Sequence, residues 1–559
     1  SSIGRTYTTS QRQKVKETRA DFGWDLRRGS RFHFGGLYRD TDTNQQLTST
    51  QQTLGNWSVD FPGDVQKIAP GVLKDFCLLC KFNSYDPKGT GPNLIAFRGD
   101  ALTLYNALSS SYAAKGNAVS ITASQNNTVK ETIYAGYGQV TWKGEIAGHN
   151  ATLVAGARYE HTKDEAISLQ AVPNQIAWVA DNDFTISVGA TPQTLRGYGS
   201  YDNILPSFDF QVELKRNLIG RFSASRTIAR PNYDNLFAST SVFAPSRPTA
   251  IGGVATANTG NTNLAPLISD NFDLSFEYYF KPDSYFSAGF FDKRVHNFIG
   301  TGLSNGSLFG LRDPSSGAAG TLSGTAKAAL SALGADISDV NLFTYSALIQ
   351  RDGAAAAATQ FNAHYSSVTK TVDQAFVNQI LSAVDINGSS SDPLYNFTIS
   401  RPINNKDAEI YGFEIAGQYF FGQTGIGVSG SFTYVKGDVG FNNGGAPNVD
   451  QFALTALSNT ANATLIYDKH GISARLSYNW RDKFLSQLNR DSYKNPVYTK
   501  AFGQLDMNIS YDLNKKIALS VEGINLTNAS LRTYGRSESN VWFAQELQRR
   551  FLFGARYRF

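Results

Sequence analysis

The sequence has little of what metal centres, redox sites and membrane-spanning helices need. Its 559 residues include two cysteines, six histidines and one methionine. The cysteines, Cys77 and Cys80, sit in "FCLLCKF". Two thiols cannot supply the four ligands of a structural zinc site, and no strand-to-helix context marks a dithiol redox centre. They read as a short disulfide pinning a loop in an oxidising compartment. No metal and no cofactor is expected. No apolar run reaches the ~18 residues of a spanning helix. Neither sign of charge dominates: 51 Lys and Arg stand against 46 Asp and Glu, mixed along the chain, for a net +5. That speaks against a nucleic-acid partner, because such binders gather Lys and Arg on one face. There is no His-Glu-x-x-His stretch, no nucleophile elbow is recognised, and the carboxylates show no catalytic pairing, so no enzyme is expected. The opening "SSIGRTYTTSQRQ" has neither an initiator Met nor a secretion signal, and reads as the start of a mature or truncated chain.

Aromatic residues are abundant: 37 Phe, 27 Tyr and 6 Trp. They recur in alternation with small polar residues, the period of a strand with one apolar face. In "GISARLSYNWRD", Ile472, Ala474, Leu476, Tyr478 and Trp480 share one face, while Ser473, Arg475, Ser477, Asn479 and Arg481 share the other. "ANATLIYDKHG" alternates in the same way just before it, so only Asp468 to Gly471 separate the two and a tight hairpin follows. Leu505, Met507, Ile509 and Tyr511 repeat the pattern, as do Phe272, Leu274, Phe276, Tyr278 and Phe280. The last run puts Phe551, Phe553, Ala555, Tyr557 and Phe559 on one side.

Seven tight turns can be placed, near residues 28–30, 148–150, 215–217, 281–283, 422–424, 468–471 and 514–516. Long polar segments alternate with them, at roughly 42–127, 163–199, 231–265, 299–405, 439–451, 482–500 and 528–542. Strands of about ten residues, short turns at one end and long loops at the other describe a transmembrane antiparallel up-and-down β-barrel of the outer-membrane type. Lipid offers no hydrogen-bond partners, so the apolar face must point outward. A soluble sandwich would bury those faces instead, and its loops would not sort into short and long ends. Seven hairpins and the terminal run give about fifteen strands, the first near residues 15–26. An odd number places the two termini on opposite sides, and the chain is therefore expected to be the C-terminal part, residues 1–559, of a larger barrel.

Several phrases go further. "SASRTIARPNYDNL" precedes "GNTNLAPLISDNFDLSFEYYF"; "AEIYGFEIAGQYFF" precedes "GINLTNAS"; the chain closes on "RRFLFGARYRF". In this order they resemble the C-terminal barrel of TonB-dependent outer-membrane receptors, through Arg230, Pro231, Gly260, Asn261, Leu264, Pro266, Ser269, Asn271, Gly412, Phe413, Glu414, Asn525, Leu526, Thr527, Asn528 and Phe559. The resemblance implies a barrel of about 22 strands filled by an N-terminal plug. It also implies import of a scarce nutrient, energised by the TonB–ExbB–ExbD complex through a TonB box. No plug-like segment or TonB box is recognised in the chain, and the strand count is about seven short, so plug and first strands are expected to lie outside it. Phe551, Phe553, Tyr557 and Phe559 resemble the family's terminal signal for the barrel-assembly machinery. The setting implied is the bacterial outer membrane, amid membrane lipids and lipopolysaccharide, with extracellular long loops and a periplasmic C-terminus.

The loop at 299–405 is the largest, and "TAKAALSALGADISDV" and "TVDQAFVNQILSAVD" predict two short helices in it. Thr371 is expected to cap the second, whose apolar stripe (Val372, Phe376, Val377, Ile380, Leu381, Val384) reads as loop core. Cargo candidates are Trp178, Phe184, Tyr201 and Tyr233 for stacking on sugar rings, His296 with His364 for haem, and Arg475, Arg481 and Arg158 for an anion. Carbohydrate and ferric siderophore are both open. A passive porin, and a docking surface for a surface lipoprotein or phage, are the alternatives.

Overall fold

The computed structural model describes residues 3–53, 64–78, 80, 95–114, 120–381, 383–446, 449–490 and 494–559; parts of the expected loops 42–127, 439–451 and 482–500 lie outside these. Fifteen long strands dominate. They are β1 (Ile3–Asp25), β2 (Arg31–Thr53), β3 (Ser120–Ile146), β4 (His149–Gln170), β5 (Gln193–Lys215), β6 (Leu218–Ala229), β7 (Leu267–Lys281), β8 (Ser284–Gly306), β9 (Phe397–Phe420), β10 (Ile426–Gly437), β11 (Thr460–Lys469), β12 (Ile472–Arg481), β13 (Phe502–Asp512), β14 (Ile517–Ile524) and β15 (Arg550–Tyr557). Each pairs antiparallel with the next in sequence, and all seven short turns fall where the alternation placed them. Among the described residues β1 and β15 have one long-strand neighbour each, so the sheet does not close on itself.

The register turns alternation along each strand into rows across the sheet. One row runs Leu153–Phe210–Phe222–Leu274–Phe290–Phe413. The row beside it, on the opposite face, runs Thr152–Gln211–Arg221–Ser275–Gly289–Glu414. The apolar rows are solvent-facing: Leu476, Tyr478 and Ile509 are 38%, 41% and 37% exposed, and Leu505 is half-buried. These side chains do not meet in a dry centre. They crowd the ten or so residues next to each short turn, enough to cross the ~25 Å apolar band of a membrane barrel.

The strands near the N-terminus are longer than the alternation suggested. β1 to β5 have 23, 23, 27, 22 and 23 residues, and at ~3.4 Å per residue each extends well past that band. β1 begins at Ile3 rather than near 15, β2 runs on to Thr53, and the loop expected at 163–199 shrinks to 171–192. The cause is visible in "TDTNQQ" (41–46), polar at every position yet laddered to β1 and β3. Ladder pairing to β1 and β3 does not need an apolar face, so it persists after alternation stops.

The segment between β8 and β9 contracts to 307–396 and holds more helix than expected: α4 (Leu322–Leu333), α5 (Asp339–Asp352), α6 (Ala354–His364) and α7 (Gln374–Leu381) follow α1 (Asp64–Ile68), α2 (Ala101–Ala113) and α3 (Tyr233–Leu236) of earlier loops. Thr321 and Ser338 cap α4 and α5 by accepting from Gly324 N and Asn341 N. Thr371 does not cap α7. It lies in a short strand and donates to Asn341 Oδ1, while Asp373 accepts from Phe376 N at 2.9 Å. The stripe Val372, Phe376, Val377, Ile380 and Val384 is core, packed with Leu342, Phe343 and Phe361.

Candidate functional site

A cavity of about 700 Å³ opens at the long-loop end of the sheet. Its walls come from the end of β6 and the turn into α3 (Arg230, Asn232, Asn235), the upper parts of β8 and β9 (Phe298, Thr301, Arg401, Lys406), and the loops carrying Gln451, Phe452 and Asn489. Phe298 and Phe452 pack with ring centroids 5.4 Å apart and close one side. The Asn489 side-chain amide accepts from Gln451 N at 3.1 Å and donates to the Gln451 carbonyl at 3.0 Å. Three cations line the cavity (Arg230, Arg401, Lys406) against one carboxylate, Asp450, which Lys494 neutralises at 3.1 Å. Arg401 and Lys406 are exposed and make no ion pair with another described residue. These two unpaired cations give the lining a positive potential.

Arg230 has a second environment behind the cavity. Its Nη2 donates to Glu160 at 2.6 Å, and its Nε lies 3.3 Å from Glu131. Arg158 Nε donates to Glu160 at 2.6 Å, and the Tyr233 hydroxyl lies 3.5 Å from Glu131. Glu131, Glu160 and Asp164 are all nearly inaccessible, because Leu236, Phe237 and Leu264 of the segment after β6 cover the neighbouring Val129 and Ala166. Burial pushes Glu131 up; it pushes Glu160 up too, but Arg158 and Arg230 more than offset it and leave that carboxyl below its usual range. Burial and then Glu131 raise Asp164 to about 7. Burial and the same carboxylates raise the Tyr233 hydroxyl to about 12 and push Tyr201 up as well.

None of the nine residues singled out from sequence as cargo contacts lines this cavity. Trp178 is fully buried, stacked on Phe184 at 6.1 Å and edge-on to Phe343 at 5.1 Å, so neither ring is free to stack on a sugar. Tyr201 and Tyr233 are brought together, but around the buried carboxylates. His296 pairs with Asp407 at 3.4 Å, whereas His364 pairs with Asp373 at 2.6 Å and stacks on Phe376, so the two histidines have separate partners. Arg481 is occupied by Ser458, the Ala456 carbonyl and the Phe484 ring; Arg475 is exposed on the polar face of β12. A Cys77–Cys80 disulfide is present, at the edge of the small ribbon Lys74–Cys77 with Ile95–Arg98.

Sequence reasoning missed Arg401 and Lys406. Three Arg-Pro pairs occur, Arg230-Pro231, Arg247-Pro248 and Arg401-Pro402, and only the first and third border the cavity. It also passed over Gly302-Leu303-Ser304-Asn305-Gly306, which has Gly-x-Ser-x-Gly spacing. Ser304 lies in the β8 ladder opposite Ile399, not on a strand-to-helix turn, so it is no nucleophile elbow. No group of three or more His, Cys, Asp or Glu among the described residues is arranged to hold a metal.

A family model described as TonB dependent receptor-like, β-barrel, matches residues 2–526. Solved structures similar to the chain include the ferric yersiniabactin uptake receptor FyuA from Yersinia pestis, with TM-score 0.46 and 12% identity over 100% of this chain and 56% of that one. The siderophore receptor PirA from Acinetobacter baumannii gives 0.43 and 12%, over 98% and 71%. The unliganded ferric citrate transporter FecA gives 0.46 and 9%, over 99% and 55%. The chain thus spans little more than half the length of FyuA and FecA. No curated protein sequence matches it.

Proposed function

The chain belongs to the TonB-dependent receptor family through its β-barrel, and on that premise we propose that it forms the barrel and loops of an outer-membrane receptor that imports an anionic metal chelate of the ferric-siderophore class. The observation that carries this reading is the cavity with Arg230, Arg401 and Lys406 on its walls. A ferric chelate with carboxylate or catecholate groups would meet charge-assisted hydrogen bonds there. A neutral sugar would need a stacking platform, and the rings proposed for one are either buried in the loop core or turned to the carboxylates behind the cavity.

On this reading the short turns face the periplasm and the long loops the exterior, which puts cargo capture outside and leaves transport to a plug coupled to TonB–ExbB–ExbD. β15 supports a role in assembly: Phe551, Phe553 and Tyr557 are exposed on its apolar face, and it pairs with β14 on one side. An open amphipathic edge is what a barrel-assembly partner would grip.

Equilibrium binding in detergent tests the cargo class, with ferric citrate as the anionic probe and maltohexaose as the neutral one. We expect ferric citrate to bind and maltohexaose not to. The double variant Arg401→Ala/Lys406→Ala should weaken the former roughly tenfold or more, the loss expected for one to two charged hydrogen bonds. Equal affinity for the two probes, or no effect of the double variant, would overturn the reading.

A further inference from the structure

We propose that Asp164 regulates the cavity through one proton: Asp164 and Glu131 share it, and its loss leaves an uncompensated negative charge behind Arg230 that opposes an anionic cargo. The inference rests on the cavity being the cargo site. Asp164 and Glu131 are direct partners across β3 and β4, on the polar face. Side chains so placed are roughly 5 Å apart at Cβ, and like charges opposite one another repel. Both are screened from solvent, at 4% and 5% exposure, so water cannot relieve that repulsion.

The charged groups around Asp164 can be counted element by element. Its own strand β4 brings Glu160 and Arg158; β3 brings Glu131; β2 brings Arg39, paired with Glu17 of β1 at 2.6 Å; β5 brings Tyr201; the segment after β6 brings Arg230 and Tyr233. Four carboxylates thus face three guanidinium groups, and each guanidinium is already paired: Arg39 with Glu17, Arg158 with Glu160, Arg230 with Glu160 and Glu131. Asp164 is the carboxylate left over. Its Oδ1 is buried without a hydrogen-bond partner among the described residues, and so is the Oγ1 of Thr162 two positions earlier on the same face. A proton on Asp164 closes the charge count. The raised midpoint of Asp164 accords with this geometry.

Arg230 transmits the effect because it borders both the carboxylates and the cavity. When Asp164 is neutral, the charges behind the cavity balance, and Arg401 and Lys406 act on an anion unopposed. When Asp164 ionises, a further negative charge behind Arg230 opposes them. At an effective dielectric constant near 20 and a separation of about 10 Å, one such charge weakens anion affinity roughly tenfold. Cargo is therefore held more tightly in mildly acidic surroundings than in alkaline ones.

The test uses pyrenetetrasulfonate, an anion whose own charge does not titrate, bound to the purified protein from about pH 5.5 to about pH 8.5. Affinity of the unmodified protein should fall about tenfold across that range. Asp164→Asn should bind with the low-pH affinity throughout, Asp164→Glu should keep the dependence, and Glu165→Gln, the next side chain on the opposite face, should leave it unchanged. If Asp164→Asn does not assemble, Glu131→Gln serves instead: removing the repelling charge should move the midpoint to lower pH. A pH profile in Asp164→Asn equal to that of the unmodified protein, or an unmoved midpoint in Glu131→Gln, overturns the inference while leaving the cavity reading intact. Failure of the probe to bind at any pH overturns the cavity reading and this inference with it.

Discussion

Trp178 lies edge-on to Phe343, ring centroids 5.1 Å apart, although 165 positions separate them in the chain. The contact joins the hairpin between β4 and β5 to helix α5 of the largest loop, and the pairing of Ile386–Asn387 with Ala177–Trp178 extends the joint into a sheet. Two loops from different strand pairs thus share one dry core. Trp178→Ala should cost that core about 3–5 kcal/mol. Hydrogen exchange should accelerate in α5 and α7, while the long strands stay protected. Uniform loss of protection across β6 to β9 would show that the loop core and the sheet are not separable.

The two faces of β12 give a sharper test of which side meets lipid. Leu476 sits mid-strand on the apolar face, and Ser477 beside it points the other way. Leu476→Arg should destabilise the protein in bilayers by about 2–4 kcal/mol, the cost of a cation near the midplane, and Ser477→Arg by under about 1 kcal/mol. Urea unfolding in lipid vesicles measures both, and a larger cost at Ser477 would reverse the assignment of faces.

The buried carboxylates predict how the segment 231–266 responds to pH. The folded state binds a proton on Asp164 that the unfolded chain, with its ordinary value of 3.8, releases sooner, so stability falls as pH rises from there and levels off above about 7. Glu160 works in the other direction: its lowered midpoint contributes stability above the ordinary value of 4.5, lost as pH drops through the folded value. Hydrogen exchange in 231–266, corrected for its intrinsic pH dependence, should show greatest protection in mildly acid solution. Asp164→Asn should shrink the decline on the neutral side, leaving only the part that the raised Glu131 contributes. Protection rising steadily toward alkaline pH would contradict this.

Replacing both cysteines by serine should change little. The Cys77–Cys80 bridge spans three positions, and so short a ring removes about 2 kcal/mol or less of unfolded-chain freedom, confined to its own ribbon. Heat-dependent gel mobility should match the unmodified protein. Failure of the double variant to assemble would assign the bridge a folding role that its position does not suggest.

Strand polarity, turn positions and the apolar face could be read directly from the chain, because each follows from neighbours two residues apart and from what hydrocarbon accepts. Leu476 and Tyr478 face outward as their alternation required. Long-strand lengths could not be read, since Thr41 to Gln46 show no alternation and are kept in register only by β1 and β3 on either side. The site was hidden for a related reason. Trp178 looked like a cargo platform until Phe184 and Phe343 were seen to enclose it, and Arg401 looked ordinary until the fold brought it to the same cavity as Arg230. What a residue contacts across more than a hundred positions is set by how strands register and loops pack. Which face of each strand is greasy is written in the order of the residues; which charges meet is settled only on folding, because burial and proximity belong to the assembled sheet.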